Sequence, residues 1–110
     1  MRICAISDIH GHLINIPECD VLCIAGDIVN LLAQRSNEES DKFWSITFVN
    51  WVDKLPCKKV IVVPGNHDIY IENLINDIVK DLSWQDFKTK ISTLTNDKVV
   101  FLVDELYAVS

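Results

Sequence analysis

The chain opens with Ile3-Cys4-Ala5-Ile6-Ser7-Asp8-Ile9-His10-Gly11-His12, an apolar run that ends in a carboxylate, two imidazoles and a glycine. Two later runs end in a similar way. Val21-Leu22-Cys23-Ile24 leads into Ala25-Gly26-Asp27, and Val60-Ile61-Val62-Val63 leads into Pro64-Gly65-Asn66-His67-Asp68. A continuous apolar run closed by Gly, Asp or Pro is typical of a buried parallel strand. The sequence therefore predicts three parallel strands, each followed by a polar segment.

Parallel strands bring the segments that follow them to one edge of the sheet. In an open α/β sheet, ligands bind outside the carboxyl ends of the strands. Asp8 and His10 stand two residues apart on an extended segment, so they should project to the same side. Carboxylate, imidazole and amide groups suit a divalent metal ion. The candidate site residues at this edge are Asp8, His10, Asp27, Asn66, His67 and Asp68.

Apolar residues at helical spacing separate the predicted strands. One helix is expected from about Glu39 to Lys54, with Pro56 ending it, and a second over residues 71–82. Ser83 followed by Asp86 predicts the start of a third helix. A fourth strand is expected over Val99–Val103, and a cut-short antiparallel strand over residues 106–109. This order predicts an α/β fold with a mainly parallel sheet flanked by helices.

Composition limits the classes of function. At 110 residues the chain is at most one domain. A net charge of −6, with no basic run longer than Lys58-Lys59, argues against a general nucleic-acid-binding surface. No apolar stretch approaches the ~20 residues of a membrane span, and no secretion signal precedes the first strand. We therefore expect a cytoplasmic protein with reduced cysteines and no membrane partner.

The three polar segments resemble the calcineurin-like metallophosphoesterase family, whose pattern is Asp-x-His, Gly-Asp and Gly-Asn-His-Asp after successive strands. The short gap after Gly11 and the residues Phe48 to Pro56 look like its small phosphodiesterase-like members. The resemblance implies a metal-dependent phosphoesterase that hydrolyses phosphodiesters at two divalent ions. It also implies an α/β/β/α sandwich, of which residues 1–110 would form the first half as a single truncated domain.

By the same resemblance, Asp8, His10 and Asp27 hold one ion, and Asp27 bridges it to a second ion that Asn66 also holds. His67 would face the scissile phosphate, and Asp68 would orient it. Mixed oxygen and nitrogen ligands fit Mn²⁺, Fe, Zn²⁺ or Ni²⁺ alike. Family members carry three further histidine ligands in their second half, whereas this sequence has no histidine after His67. We therefore expect at most one tightly bound ion in this chain.

Several alternatives remain open at the level of sequence. Asp27 after a glycine is also a common turn residue, and His12 is more simply a loop residue than a substrate contact. The chain could be a non-catalytic metal-binding or interaction module. An uncovered sheet face would then self-associate or bind a missing C-terminal half. A metal-free nucleotide-binding domain is disfavoured, because no Gly-x-Gly-x-x-Gly follows the first strand.

Overall fold

The computed structural model describes residues 1–7, 9–29, 36–64, 68–76, 78–79 and 82–102. Among these residues, strands β1 (Ile3–Ser7), β2 (Val21–Ala25), β3 (Lys59–Val63) and β4 (Val99–Phe101) form one sheet in the order β1-β2-β3-β4. Every neighbouring pair is parallel. The α/β fold class and the parallel sheet are confirmed. The antiparallel strand predicted over residues 106–109 lies outside the described residues.

The register of the first three strands places their carboxyl ends at one level. Ser7 pairs with Ala25, and Ala25 pairs with Val63. These three residues are the last of their strands, so the polar segments that follow all begin at the same edge. The sheet edge that the sequence predicts for ligand binding is therefore present.

The long connection between β2 and β3 is a continuous helical stretch. It consists of α1 (Asn37–Lys42), a π-helical segment (Phe43–Phe48) and α2 (Val49–Asp53). It begins two residues before the predicted start at Glu39, because the side-chain oxygen of Ser36 accepts a hydrogen bond from the Glu39 amide at 3.3 Å. The stretch ends three residues before Pro56, as the helix-breaking ring requires.

The π-helical segment suits the aromatic residues that it carries. Phe43, Trp44 and Phe48 are buried, and the rings of Trp44 and Phe48 lie 4.9 Å apart. A π-helix forms i→i+5 hydrogen bonds, so positions five apart come close to the same face. An α-helix would rotate Phe48 away from Phe43. The wider turn therefore directs all three rings into the core.

Helix α3 (Ile69–Ile75) is shorter than the predicted 71–82 helix. The amide of Ile78 donates to the Asn73 carbonyl at 2.9 Å, a spacing of five residues, so the chain leaves the α-helical path after Ile75. Ile78 is consequently 62% exposed. Val79 and Leu82 still pack against the core, so the apolar residues beyond Ile75 mark a partly buried segment and not a continuation of the helix.

Helix α4 (Trp84–Leu94) begins where the sequence predicts. The side-chain oxygen of Ser83 accepts a hydrogen bond from the Asp86 amide at 3.0 Å. The helix ends at a turn in which Asn96 and Asp97 have φ angles of 53° and 62°. Both are residue types that tolerate the left-handed region, so the chain can reverse into β4 there.

The hydrophobic core lies on one face of the sheet. Leu22 and Ile24 of β2, with Val60 and Val62 of β3, are fully buried on this face. The helices cover them with large side chains, among them Trp44, Phe48, Ile71, Leu74, Phe87 and Ile91. Because side chains alternate along a strand, the residues between them point to the opposite face.

That opposite face is partly open and apolar. Ile3 is 61% exposed and Val63 is 45% exposed, and Ala5 and Ala25 are also exposed. Val21 and Ile61 are buried there but do not belong to the core cluster beneath the helices. None of the helices in the described part of the chain has the length and hydropathy of a bilayer-crossing segment.

All four cysteines are free thiols. Cys19 is the most buried of them, whereas Cys4 in β1 and Cys23 in β2 are half-buried. Burial, together with the neighbouring Cys4 and Cys57 thiols, raises the pKa of Cys19 to about 11. The thiol is therefore protonated at neutral pH, and Cys19 packs as a small apolar side chain.

Loss of the Ser83 cap should destabilise the protein measurably. Ser83→Ala removes the acceptor for the Asp86 amide and should lower the free energy of unfolding by about 1 kcal/mol. Urea denaturation followed by circular dichroism measures this change. Thr93→Ala, at an exposed position near the other end of the same helix, is the control and should have a much smaller effect. Equal effects of the two substitutions would refute the capping role.

The open sheet face should drive association of the isolated chain. Burial is worth about 25 cal/mol per Å², so a face of several hundred Å² is worth on the order of 10 kcal/mol. Sedimentation equilibrium at micromolar concentration should therefore report species larger than a monomer. Val63→Lys should shift the distribution toward monomer, because it places a charge on this face. A well-behaved monomer of the unaltered chain, with cooperative unfolding, would contradict this expectation.

Candidate metal centre

A tight turn over residues 9–12, in place of the extended segment that the sequence predicts, follows β1 and contains His10. His10 and Gly11 have φ angles of 46° and 82°, and the His12 amide donates to the Ile9 carbonyl at 2.8 Å. Two consecutive positive φ angles closed by such a bond are the geometry of a type I′ turn. Glycine adopts this conformation without strain, but His10 does so at a cost. Its left-handed backbone must therefore be held by its surroundings.

A second strained turn follows β2. Gly26 and Asp27 have φ angles of 74° and 47°. The Gly26 amide donates to the carbonyl of Val63, the last residue of β3, at 2.8 Å. This bond continues the ladder between β2 and β3 by one residue, and the chain then turns sharply. Asp27 is half-buried at this point, directly beyond the edge of the sheet.

Two backbone hydrogen bonds join these turns. The His10 amide donates to the Asp27 carbonyl at 2.9 Å, and the Gly11 amide donates to the Ile28 carbonyl at 2.7 Å. The left-handed conformation of His10 is thus fixed by a partner on the neighbouring turn. The structure brings His10 and Asp27 together, as the positions of their strands predict.

Asp68, which is predicted to orient His67, also contacts the loop that follows β2. Its side chain is 1% exposed, and its Oδ1 accepts hydrogen bonds from the amides of Ile28 and Val29 at 2.9 Å and 3.0 Å. These contacts lie on the segment after Asp27. Sequence reasoning missed them. An aspartate just before a helix indicates an N-cap, but the Asp68 side chain makes no capping hydrogen bond to α3.

Comparison with known proteins agrees with this arrangement of turns after parallel strands. The family model of the calcineurin-like phosphoesterases matches residues 1–107. The chain belongs to the calcineurin-like phosphoesterase family. The match includes all three polar segments and extends beyond β4, so the recognition made from residues 1–70 is confirmed over nearly the whole sequence.

A search of curated proteins finds a second similarity, to a protein named "Probable rhamnogalacturonate lyase C" from Emericella nidulans. The two sequences are 31% identical over 72 residues, which is 66% of this chain and 6% of that protein. The chain thus corresponds to a small part of that relative's length. The similarity carries no activity from that relative to this phosphoesterase-family chain.

The described donor groups fit a divalent ion, as expected for a member of this family. Nδ1 of His10 is buried and has no hydrogen-bond partner among the described residues, which is an unfavourable state for a polar atom unless a ligand satisfies it. The half-buried carboxylate of Asp27 belongs to the adjoining turn. An imidazole nitrogen and a carboxylate on adjoining turns are donor types that many divalent transition metals accept.

Three predicted site residues lie outside the described part of the chain, namely Asp8, Asn66 and His67. Their assignments stay predictions. Within the described ranges, no three side chains of His, Cys, Asp or Glu come together as a metal site. His12 is exposed, in agreement with its interpretation as a loop residue.

Two other polar features lie away from this edge. Asp41 accepts hydrogen bonds from Lys90 at 2.8 Å and from the Tyr70 hydroxyl at 3.2 Å. Burial, reinforced by Asp41, raises the pKa of Tyr70.

An open cavity of about 730 Å³ lies between the segments that precede β2 and β3, where Arg2, Asp20 and Lys58 line it. It is at the amino ends of the strands, opposite the candidate metal centre.

Proposed function

We propose that the chain carries the metal-binding half of a metal-dependent phosphodiesterase. The observation that supports this most strongly is the pair of backbone hydrogen bonds between the turn of His10 and the turn of Asp27. These bonds hold an imidazole and a carboxylate at the ligand-binding edge of a parallel sheet. Family membership supplies the reaction class, and the resemblance to small phosphodiesterase-like members supplies the substrate class.

Each candidate residue has a proposed role. Asp8, His10 and Asp27 would hold one ion, and Asp27 and Asn66 would hold a second. Two divalent ions would supply Lewis acidity toward a phosphoryl oxygen and a nucleophile of lowered pKa. Two aspartates leave the charge of two such ions only partly neutralised. The remaining positive charge would attract a phosphodiester to a protein whose net charge is −6.

His67 is proposed to act on the leaving group. When the ester bond breaks, the departing oxygen gains negative charge, and a protonated imidazole beside it would donate the compensating proton. Positioned general acids contribute roughly 10²–10⁴ in rate. His67 follows β3 by a few residues, so it starts from the same edge as the turns of His10 and Asp27.

Metal stoichiometry tests the ligand assignment. One ion has three proposed ligands and the other has two, so the three-ligand site should bind much more tightly. We expect one Mn²⁺ per chain after dialysis, measured by elemental analysis. Asp27→Asn should abolish this binding, whereas Asp53→Asn, a substitution at an exposed position at the end of α2, should leave it unchanged. Two retained ions per monomeric chain would contradict the assignment.

Hydrolysis of bis-p-nitrophenyl phosphate with Mn²⁺ tests the activity. We expect weak or no turnover by residues 1–110, because the sequence offers only four ligand candidates for two ions, and clear turnover by a longer form that supplies the remaining histidines. In that form Asp27→Ala should remove both ions and nearly all activity. His67→Ala should retain the metal and lose roughly 10²–10⁴ in kcat.

The paired variants separate the roles. If His67→Ala binds metal normally and turns over at the unaltered rate, the proposed proton donation is wrong. If no form hydrolyses a phosphodiester although metal is bound, the non-catalytic metal-binding module becomes the better description.

A further inference from the structure

Asp68 makes an unusual contact for a residue that precedes a helix. Its carboxylate is 1% exposed, and a single oxygen, Oδ1, accepts the amides of both Ile28 and Val29, 40 and 39 residues earlier in the chain. Both contacts are 2.9–3.0 Å long. Hydrogen bonds to an ionised carboxylate are about twice as strong as those between neutral groups. A buried charge is retained at such a position only where it is well bonded.

The position of Asp68 makes this contact informative. Asp68 is the N-cap residue of α3 (Ile69–Ile75), and an aspartate there normally accepts an amide of its own helix. No capping hydrogen bond from its side chain to α3 is present, and its φ of −86° and ψ of 62° do not fit an ordinary cap. The described contacts of the carboxylate are instead to the loop that follows β2.

That loop carries the proposed metal ligand Asp27. Its carbonyls bond to the β1 turn: the Asp27 carbonyl accepts the His10 amide, and the Ile28 carbonyl accepts the Gly11 amide. Its next two amides bond to Asp68. The carbonyls of Asp27 and Ile28 thus bond to the turn after β1, and the amides of Ile28 and Val29 bond to Asp68. The backbone of residues 27–29 is therefore fixed from two sides.

This support matters because Asp27 has a φ of 47°. A non-glycine residue in the left-handed region is strained and persists only where the surroundings enforce it. The Asp27 side chain leaves the backbone at this strained residue. A small relaxation of residues 28 and 29 would therefore move the Asp27 side chain relative to the turn that carries His10.

We propose that Asp68 is a positioning residue, whose buried carboxylate holds the amides of Ile28 and Val29 and so aims Asp27 at the metal ion. The proposal rests on the proposed function, since it takes Asp27 as a metal ligand. It adds to the role that the family resemblance implies, in which Asp68 orients His67, and does not replace that role. It also joins the loops after β1, β2 and β3 into one support for the ion.

Mn²⁺ binding by the 110-residue chain tests this role without any need for turnover. Asp68→Asn keeps the size of the side chain but replaces the charged acceptor with a neutral one. Asp68→Ala removes the acceptor. Removing partners that orient metal ligands typically costs 10–100-fold in affinity. We expect a loss in this range for Asp68→Asn and a larger one for Asp68→Ala, measured by isothermal titration calorimetry.

Thr95→Val is the matched control. Thr95 is also buried, and its side-chain oxygen accepts the backbone amide of Val99 at the amino end of β4, opposite the proposed site. This substitution should lower the melting temperature of the metal-free protein while leaving Mn²⁺ affinity unchanged. In Asp68→Asn, the amide proton resonances of Ile28 and Val29 should move upfield, because their hydrogen bonds weaken.

The outcomes separate the two proposals. Folded Asp68→Asn with unaltered Mn²⁺ affinity would overturn the positioning role while leaving the proposed function intact. Equal losses of affinity in Asp68→Asn and Thr95→Val would reduce Asp68 to a general stability residue, which also overturns it. Absence of Mn²⁺ binding by the unaltered chain would instead overturn the proposed metal centre itself. If Asp68→Ala fails to fold, Asp68→Asn and the amide resonances still decide the question.

Discussion

The common level at which β1, β2 and β3 end is the constraint on which the proposed site depends. Ser7, Ala25 and Val63 are paired across the sheet, so the chain leaves all three strands at one edge. A shift of one residue in either ladder would reverse which face each side chain occupies. It would also separate the His10 amide from the Asp27 carbonyl. The core and the proposed metal centre thus depend on the same register.

The register is fixed from the helical side. Leu22, Ile24, Val60 and Val62 are fully buried beneath the helices, and slipping by one residue would turn them toward the open face. Lys98 adds a polar anchor at the opposite edge, where its Nζ donates to the carbonyls of Val52 and Leu55 at 2.8 Å and 2.9 Å. A lysine beside the last carbonyls of a helix is a favourable arrangement. The packed helices therefore also stabilise the loops at the strand ends, whose residues Ile9, Ile28 and Val29 belong to the same core.

The parts of this structure that the sequence predicts are those set by local pattern. Runs of Val and Ile predicted the strands to within a residue or so, and Ser83 predicted the start of α4. The π-helical segment at Phe43–Phe48 and the early end of α3 at Ile75 depend on how aromatic and apolar side chains meet the sheet. The contact of Asp68 with Ile28 joins residues 40 positions apart, and no periodicity in the chain encodes it. The polar segments at the strand ends can be recognised in the sequence, whereas the hydrogen bonds between them are visible only in the structure.

The bonds between these segments also account for the use of strained residues at the candidate centre. Left-handed His10 and Asp27 turn the chain within three residues of the strand ends, which keeps them close to the sheet. A relaxed loop would need more residues and would hold its ligands less firmly. The strain at Asp27 is offset by bonds to its own carbonyl and to the next two amides. Because these partners come from the loops after β1 and β3, neither ligand turn is held by its own strand alone. The loops after three strands therefore support the proposed metal centre together. A substitution that weakens any one of these loops should also displace the ligands that the other two carry.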